Sequence, residues 1–276
     1  MTLLKEVLEG KLSEKEIELV KRSFDVIGDL AVLEIPEELE KKEKYVAEAI
    51  VKLYPRVKVV AKKVGPTAGV ERIRPVKVIL GEKRTETLYI ENGCRYKLDV
   101  NKVYFSPRLS SEHLRVAEQV KPKETVYDLF CGVGPYVIPC AKRCKKVFAA
   151  DINKDAIKYL EQNVKLNKVM DKVDFAAGDC RKVVMKKEHK GKADRVIMNH
   201  PSGAQEFLDV AFYVAKKGAI VHFYCFLKED ELYEGGIKII QAAAKKAKRK
   251  VKVLNTKKCG QLAPWIWRCA IDFKVT

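Results

Sequence analysis

The chain has 276 residues, 47% of them hydrophobic, which is enough for a packed core in one large domain or two modest ones. No signal-peptide pattern opens it and no apolar run reaches the roughly eighteen residues of a membrane span, so we expect a cytoplasmic protein with no membrane partner. The 55 Lys and Arg against 37 Asp and Glu leave a net charge of +18, which favours nucleic acid as a partner, although a generally lysine-rich surface explains it too.

Residues 1–23 contain two short predicted helices. Apolar residues recur there at helical spacing, and Ser13 and Glu16 are spaced as a capping box. From Phe24 the period becomes strand-like, and the Gly-Asp turn inside FDVIGDLAVLEIP predicts a hairpin. We treat residues 1–23 as an N-terminal helical segment that precedes the first domain.

Residues 24–106 predict a small α+β domain. A helix over about 41–54 is followed by the strand-like segments VKVVAKK, VKVIL, ETLYIEN and RYKLDV. Asn92-Gly93 predicts a tight turn between the last two. The Arg-rich segment GVERIRPVK separates two of these strands, and by itself it is typical of a solvated loop.

From residue 107 to 276 the chain alternates strands with helical spans. Strands are predicted at 124–130, 145–151, 173–177, 193–199 and 219–227. Two further strands, from about residue 250 to the end, predict a closing hairpin. The pattern indicates an α/β domain with a doubly wound, Rossmann-like parallel sheet.

The segment DLFCGVGPY carries the first cofactor signal. Gly132 and Gly134 fall in the turn after a strand, where missing side chains let a nucleotide-like cofactor approach the backbone, although the third glycine of the dinucleotide fingerprint is absent. Asp151 ends the next strand, where a carboxylate accepts hydrogen bonds from ribose hydroxyls. Asp179 ends the third strand and is placed for an adenine amino group. A plain loop acid is the alternative for both.

The segment VIMNHPSG ends the fourth strand at the same edge. Asn199 is therefore directed at the cofactor cleft, and Pro201 fixes the following turn so that the amide faces a planar base. The alternative is that Asn199 caps the next helix, a role for which Ser202 competes. None of the eight cysteines forms a CxxC pair and most lie in apolar stretches, so we predict core residues and no metal site.

Residues 24–276 resemble the archaeal and eukaryotic tRNA (guanine-37-N1)-methyltransferases. The resemblance rests on FDVIGDLAVLEIPEEL, GEKRTETLYIENGCRYKLDVNKVYFSPRLSSE, DLFCGVGP, AADINKDAIKYLEQNVKLNK and DRVIMNHPSGAQEFLDVA, of which VYFSPRLSSE is the most specific. It implies a class I methyltransferase with S-adenosyl-L-methionine as cofactor and the anticodon stem-loop of tRNA as partner. We expect a monomer.

The resemblance also implies roles for single residues. Glu112 corresponds to the general base, Arg72 to the arginine that steadies the guanine oxygen, and Asn199 with Pro201 to an Asn-Leu-Pro motif. Guanine N1 carries a proton at neutral pH, so a carboxylate beside an arginine suits the reaction. Tyr104 and Arg108 complete the expected catalytic set. The residues expected to contact the cofactor are Asp128, Phe130, Gly132, Gly134, Asp151, Ile152, Asp179, Cys180, Asn199 and His113.

Three features depart from the family pattern. His200 replaces leucine, either as a rim residue or as one that alters how the purine is seated. His113 stands where arginine is frequent, which leaves that cofactor contact open. The N-terminal domain with which many members grip the tRNA elbow is expected to be absent or reduced to residues 1–23. The basic run at 245–252 is a candidate phosphate contact or a solvated helix end.

Other functions remain open. A wybutosine-pathway aminocarboxypropyl transferase shares the two-domain body but lacks the Asn-x-Pro triplet, and carbon methylation of a tricyclic wyosine precursor is a related possibility. An amino-group methyltransferase acting on DNA or protein glutamine is disfavoured by Ser202 and by YFSPRL. A non-catalytic RNA-binding module explains the charge but not Asp151, Asp179 and Glu112 together.

Overall fold

The structure is a computed structural model that describes residues 3–21, 23–65, 69 and 73–276. The chain divides into two compact units, Met1–Pro107 and Arg108–Thr276. Within the described ranges, no helix is long and apolar enough to cross a membrane.

The first unit packs helices against small sheets. Its described elements are, in chain order, α1 (Leu3–Leu8), α2 (Glu14–Leu19), β1 (Asp25–Ile27), β2 (Leu30–Leu33), α3 (Glu43–Leu53), β3 (Val59–Lys63), β4 (Val76–Gly81), β5 (Glu86–Glu91) and β6 (Cys94–Asp99). One sheet has the order β1-β2-β3-β4, and β5 pairs with β6. The small α+β architecture predicted for this part of the chain is confirmed.

The N-terminal helices belong to the core of this unit. Leu4 and Leu8 of α1 are buried in the same cluster as Ile50 of α3. The predicted capping box opens α2: the Ser13 amide donates to the Glu16 carboxylate at 2.8 Å, and the Glu16 amide donates to Ser13 Oγ at 3.4 Å. Helices α1 and α2, which the sequence predicted as a separate N-terminal segment, are thus packed as part of a larger unit.

Both hairpins predicted for the first unit are present. β1 and β2 pair antiparallel across Gly28, whose φ of +62° places it in the left-handed region that favours glycine. The turn between β5 and β6 has φ of 48° at Asn92 and 68° at Gly93. Two consecutive positive φ values are what a two-residue loop of type I′ requires, which explains this Asn-Gly pair.

The second unit holds the large sheet. Its elements are α4 (Ser110–Glu118), β7 (Thr125–Asp128), α5 (Val137–Ala141), β8 (Lys146–Asp151), α6 (Lys154–Leu166), β9 (Val173–Ala177), α7 (Cys180–Val184), β10 (Ala193–Met198), α8 (Leu208–Val214), β11 (Ala215–Lys228), α9 (Glu234–Lys246), β12 (Val251–Ala263) and β13 (Ile266–Val275). The strand order is β12-β13-β11-β10-β7-β8-β9.

The doubly wound fold is confirmed. β11, β10, β7, β8 and β9 run parallel, while β13 is antiparallel to both neighbours and closes the predicted hairpin. The chain starts at β7 in the middle of the sheet and winds outward to both sides, so the strand order reverses between β7 and β10. Open α/β sheets bind ligands at the carboxyl ends of strands beside such a switch point.

Candidate active site at the carboxyl edge of the sheet

The turn after β7 has the backbone that its glycines predict. Gly132 and Gly134 adopt φ of 53° and 96°, and a Cβ on Gly134 would lie 2.6 Å from Leu160. Asp151, at the tip of β8, accepts a 2.7 Å hydrogen bond from the Gly132 amide and a 2.9 Å bond from the Asn153 amide. The Asp151 carboxylate therefore stabilises the glycine turn. Both the turn and the carboxylate were predicted to bind the cofactor.

Asp128 ends β7 with its side chain fully buried. One carboxyl oxygen accepts from the Phe130 amide at 3.2 Å, and the other has no hydrogen-bond partner within the described part of the chain. Burial, with the nearby charge of Asp151, raises the pKa of Asp128 to about 8. An orphaned polar atom inside a glycine-lined turn is what a site completed by a polar cofactor looks like.

The tip of β9 gives a more local result. Asp179 caps α7 by accepting from the Arg181 amide at 2.8 Å, a structural role that the sequence interpretation did not consider. The Cys180 thiol is buried in the core, and burial raises its pKa to about 12. Ile152, after β8, is 48% exposed and offers an apolar surface to a flat ring.

Asn199 follows β10 directly, beside the end of β7, because the Leu129 amide donates to the Ile197 carbonyl at 3.1 Å. Its Oδ1 is buried without a hydrogen-bond partner among the residues that the structure describes. The short 3-10 helix Ala204–Phe207 that follows has no side-chain cap, so the capping role considered for Asn199 and Ser202 is absent from this described segment.

His200 lies between an aromatic ring and a glycine. Its imidazole packs on Phe130 with ring centroids 5.1 Å apart, and a Cβ on Gly203 would lie 2.9 Å from its Nε2. Pro201 is buried and its carbonyl accepts from the Phe226 amide at 3.3 Å, which anchors the turn to β11. The Asn-His-Pro triplet is therefore held by packing on both sides.

Glu112 lies in the first turn of α4 and is 2% exposed. Arg115, three residues on, binds it through Nε at 2.9 Å and Nη2 at 2.6 Å, the Tyr224 hydroxyl donates at 2.7 Å, and Lys257 Nζ donates at 3.0 Å. Burial favours a higher pKa for Glu112, but the hydrogen bonds and charge of Arg115, with the other two donors, outweigh it and hold the pKa below 4.5.

A cluster of rings connects Glu112 to the glycine turn. Tyr136 follows the turn and lies 5.9 Å from the ring of Tyr224, whose hydroxyl contacts Glu112. His113 is 2% exposed and packs edge-on to Tyr136 at 4.7 Å. The structure thus brings Glu112 and His113 beside the predicted cofactor turn.

Three further residues were predicted for the catalytic set. Tyr104 lies in the first unit with 43% exposure, and Arg108, at the start of the second unit, is exposed in the 3-10 helix Pro107–Leu109. Arg72 lies outside the described residues.

Sequence reasoning missed three residues that contact Glu112. The i,i+3 spacing of Arg115 to Glu112 was a signal for the first, whereas Tyr224 and Lys257 carry no such signal.

Two family models match the chain. The TRM5/TYW2 methyltransferase domain matches residues 87–254, and the TYW2 N-terminal domain matches residues 4–85. Among curated proteins, the tRNA (guanine(37)-N(1))-methyltransferase Trm5b of Pyrococcus abyssi is 45% identical over 92% of this chain and 75% of its own. The tRNA(Phe) (4-demethylwyosine(37)-C(7)) aminocarboxypropyltransferase of Pyrococcus horikoshii is 32% identical over 99% and 96%.

Solved structures agree with this assignment. The complex of aTrm5 with tRNALeu superposes with a TM-score of 0.87 at 34% identity, over 100% of this chain and 78% of that one. Methanocaldococcus jannaschii TYW2 in complex with AdoMet superposes with a TM-score of 0.70 at 28% identity, over 92% and 99%. This chain belongs to the TRM5/TYW2 methyltransferase family.

Proposed function

We propose that this protein transfers the methyl group of S-adenosylmethionine to N1 of guanine-37 in tRNA. The observation that carries the proposal is the buried, unpartnered Oδ1 of Asn199 at the carboxyl edge of the sheet. The edge of guanine next to N1 offers N–H donors, including the exocyclic amino group, whereas N1 of adenine is an acceptor. An orphan acceptor at this position fits these guanine donors. Adenine has an amino donor on C6 but no proton on N1, so the choice of guanine also depends on the N1 proton that Glu112 accepts.

Residues of the second unit supply the cofactor site. The Gly132–Gly134 turn and the Asp128 and Asp151 carboxyls would hold the polar parts of the nucleoside, and Ile152 would offer an apolar surface to its adenine. Asp179 and the Cys180 backbone lie at the next strand tip. When bound, S-adenosylmethionine supplies an activated methyl group on its sulfonium, which N1 of guanine takes.

Glu112 accepts the N1 proton as the new nitrogen–carbon bond forms. Its depressed pKa makes it a weak base while all three donors remain on it. Lys257 is the most exposed of them, with 39% of its side chain accessible against 19% for Arg115. Withdrawal of Lys257 as the purine enters frees one carboxylate lone pair and strengthens the base.

The first unit, whose core includes apolar residues of α1 and α2, contributes to binding the tRNA. Arg72, Tyr104 and Arg108 keep the roles in base binding that the family resemblance implies, and Lys residues of the 245–252 run contact phosphates. We further propose a monomer located in the cytoplasm, where it meets tRNA. Size-exclusion chromatography with light scattering tests the monomer, and a dimer contradicts it.

The test is incubation with cofactor and tRNA transcripts that carry guanine or adenine at position 37, followed by mass spectrometry of the nucleosides. N1-methylguanosine from the guanine transcript alone is the expected product. Equal labelling of both transcripts contradicts the proposal. Glu112→Gln is expected to retain cofactor binding and to lose most of the rate, because its amide cannot take the proton.

The second candidate is a wybutosine-pathway activity, either aminocarboxypropyl transfer or carbon methylation of a tricyclic guanine derivative. The match of residues 4–85 to the TYW2 N-terminal domain favours the first. Which carbon on the sulfonium faces the acceptor decides between methyl and aminocarboxypropyl transfer, and the two products differ in mass. Transcripts carrying the tricyclic base, assayed in parallel, distinguish all three reactions.

A further inference from the structure

We propose that Asp272 and His222 are positioning residues for Glu112 and act on it through Arg115. The inference rests on the proposed role of Glu112 in methyl transfer. It concerns a chain of buried side chains that runs across the face of the sheet beneath α4 and ends at the Glu112 carboxylate.

Arg115 is the link between two buried carboxylates. Its Nε and Nη2 atoms bind Glu112, while Nη1 donates to Asp272 Oδ2 at 2.5 Å and Nη2 to Asp272 Oδ1 at 3.3 Å. The planar guanidinium thus presents one edge to each carboxylate, a geometry that lysine cannot reproduce. Because both edges are occupied, Asp272 fixes the orientation in which Arg115 meets Glu112.

His222 fixes Asp272 in turn. Its Nε2 lies 2.7 Å from Nη1 of Arg195, and its Nδ1 lies 2.7 Å from Asp272 Oδ1. A guanidinium only donates, so Nε2 must accept and the proton of the neutral ring must be on Nδ1, from where it donates to Asp272. Complete burial lowers the pKa of His222, in agreement with a neutral ring. The arrangement leaves His222 a single tautomer.

Arg195 anchors the far end. It is 1% exposed, donates to both oxygens of Glu124 at 2.9 and 3.2 Å, and donates to the Gln119 carbonyl at 2.8 Å. The chain therefore runs from Glu124 through Arg195, His222, Asp272 and Arg115 to Glu112, and every link has a defined donor.

Strand register explains why these residues meet. His222 on β11 is opposite Asp272 on β13 and opposite Ile197 on β10, two residues beyond Arg195. Residues two apart share a sheet face, so Arg195, His222 and Asp272 form one row across three adjacent strands. Tyr224 lies on the same face, one pair further along β11, where its hydroxyl reaches Glu112.

This network of ion pairs and hydrogen bonds is expected to contribute little to the stability of the fold. Buried charges lose hydration that their mutual attraction barely recovers, and apolar replacements of such networks are often neutral or stabilising. The network does fix the orientation of the planar Glu112 carboxylate at the carboxyl edge of the sheet. Proton transfer depends on such alignment. This is the reason to assign Asp272 and His222 a part in the reaction.

Asp272→Asn tests the link. The side-chain carbonyl of the new Asn can accept from His222 or from Arg115. Its side-chain amino group then faces the other of these two donors. His222 cannot change tautomer to accept that group, because its Nε2 already accepts from Arg195. Arg115 loses its second anchor. We expect kcat to fall about tenfold or more, with the KM for tRNA and the Kd for S-adenosylmethionine unchanged.

A double-mutant cycle with Glu112→Gln separates positioning from general damage. If Asp272 acts through Glu112, Asp272→Asn has no further effect on kcat once Glu112 is replaced. Equal fold-losses in both backgrounds overturn the proposal. Thermal unfolding of each variant accompanies the cycle.

His222 provides a test that does not depend on the folding of Asp272→Asn. In His222→Gln the side-chain carbonyl accepts from Arg195 and the side-chain amino group donates to Asp272, so kcat is expected to stay near the wild-type value. In His222→Leu neither contact can form, and kcat is expected to fall. Equal kcat in the two variants overturns the proposal. A wild-type protein that forms no N1-methylguanosine refutes the proposed function instead, and the two failures are therefore distinguishable.

Discussion

Asp151 accepts a 2.7 Å hydrogen bond from the amide of Gly132, which ties the tip of β8 to the glycine turn after β7. The carboxylate proposed to bind the ribose is thus also the group that holds the glycine-lined turn in shape. One side chain serves both the backbone and the ligand, so its loss affects cofactor binding twice.

Asp151→Ala removes the brace and the ribose acceptor together. We expect S-adenosylmethionine to bind at least about tenfold more weakly, roughly 1.4 kcal/mol, as measured by calorimetry. Asp155→Asn is the matched control, because the Asp155 carboxylate pairs with Lys158 on the surface of α6 at 2.9 Å. Unchanged affinity in Asp151→Ala would remove Asp151 from the cofactor site.

Asn199→Ala is expected to separate activity from stability. Its Oδ1 has no hydrogen-bond partner among the described residues, and a buried acceptor left unpaired costs about 1–3 kcal/mol, so alanine should leave the melting temperature unchanged or raise it. The rate of methyl transfer should fall by about 10²-fold, as for other groups that hold a reacting base or oxyanion.

Asn153→Ala supplies the contrast for Asn199. Asn153 caps α6 by accepting from the amides of Asp155 and Ala156, so its replacement is expected to lower stability by about 1 kcal/mol. If Asn199→Ala loses stability to the same extent, Asn199 has a structural rather than a substrate-binding role.

The sequence predicts the sheet and the strand tips well, but it does not predict the buried charge chain. Asp151 and Asn199 are found because parallel strands appear as apolar runs and their ends share one edge. Arg195 and His222 lie inside such runs. The side-chain partners of Arg195, Glu124 and His222, are 71 and 27 residues away in sequence, so the fold and not the local sequence pattern reveals them.

The Asp179 cap illustrates a signal that was available in the sequence. An acidic residue directly before a helical span is a frequent N-cap, and α7 begins at the next residue, Cys180. Adenine binding and helix capping both predict an acidic residue at this position, because in this fold the end of a strand lies next to the start of a helix. Sequence position alone therefore does not separate them.

Asp128 is expected to make stability depend on pH between about 4 and 8. Its pKa is raised from 3.8 to about 8 in the folded state, so the folded protein binds the proton that the unfolded chain has released. Its contribution is full below pH 3.8 and is lost as the pH rises towards 8. Melting temperatures from pH 5 to 8 should fall more steeply for the wild type than for Asp128→Asn. Parallel curves would contradict the raised pKa.

Lys257→Met is expected to shift the pH dependence of the reaction. It removes one donor from Glu112, so the pKa of Glu112 rises and the acid limb of kcat moves to higher pH. Lys258→Met is the matched control, since Lys258 pairs with Glu229 at 3.0 Å. Identical shifts in the two variants would point to overall charge rather than to the contact with Glu112.

Gly203→Ala tests whether the seating of His200 matters for catalysis. The φ of Gly203 is −149°, which any residue adopts, so the effect of alanine is purely steric: its Cβ would lie 2.9 Å from His200 Nε2. The imidazole must then move off Phe130, which flanks Asn199 at the neighbouring strand tip. We expect kcat to fall in Gly203→Ala and to show no further loss when Gly203→Ala is added to His200→Ala, where the space is free. If alanine at 203 lowers kcat equally in both backgrounds, the clash with His200 is not the cause of the loss.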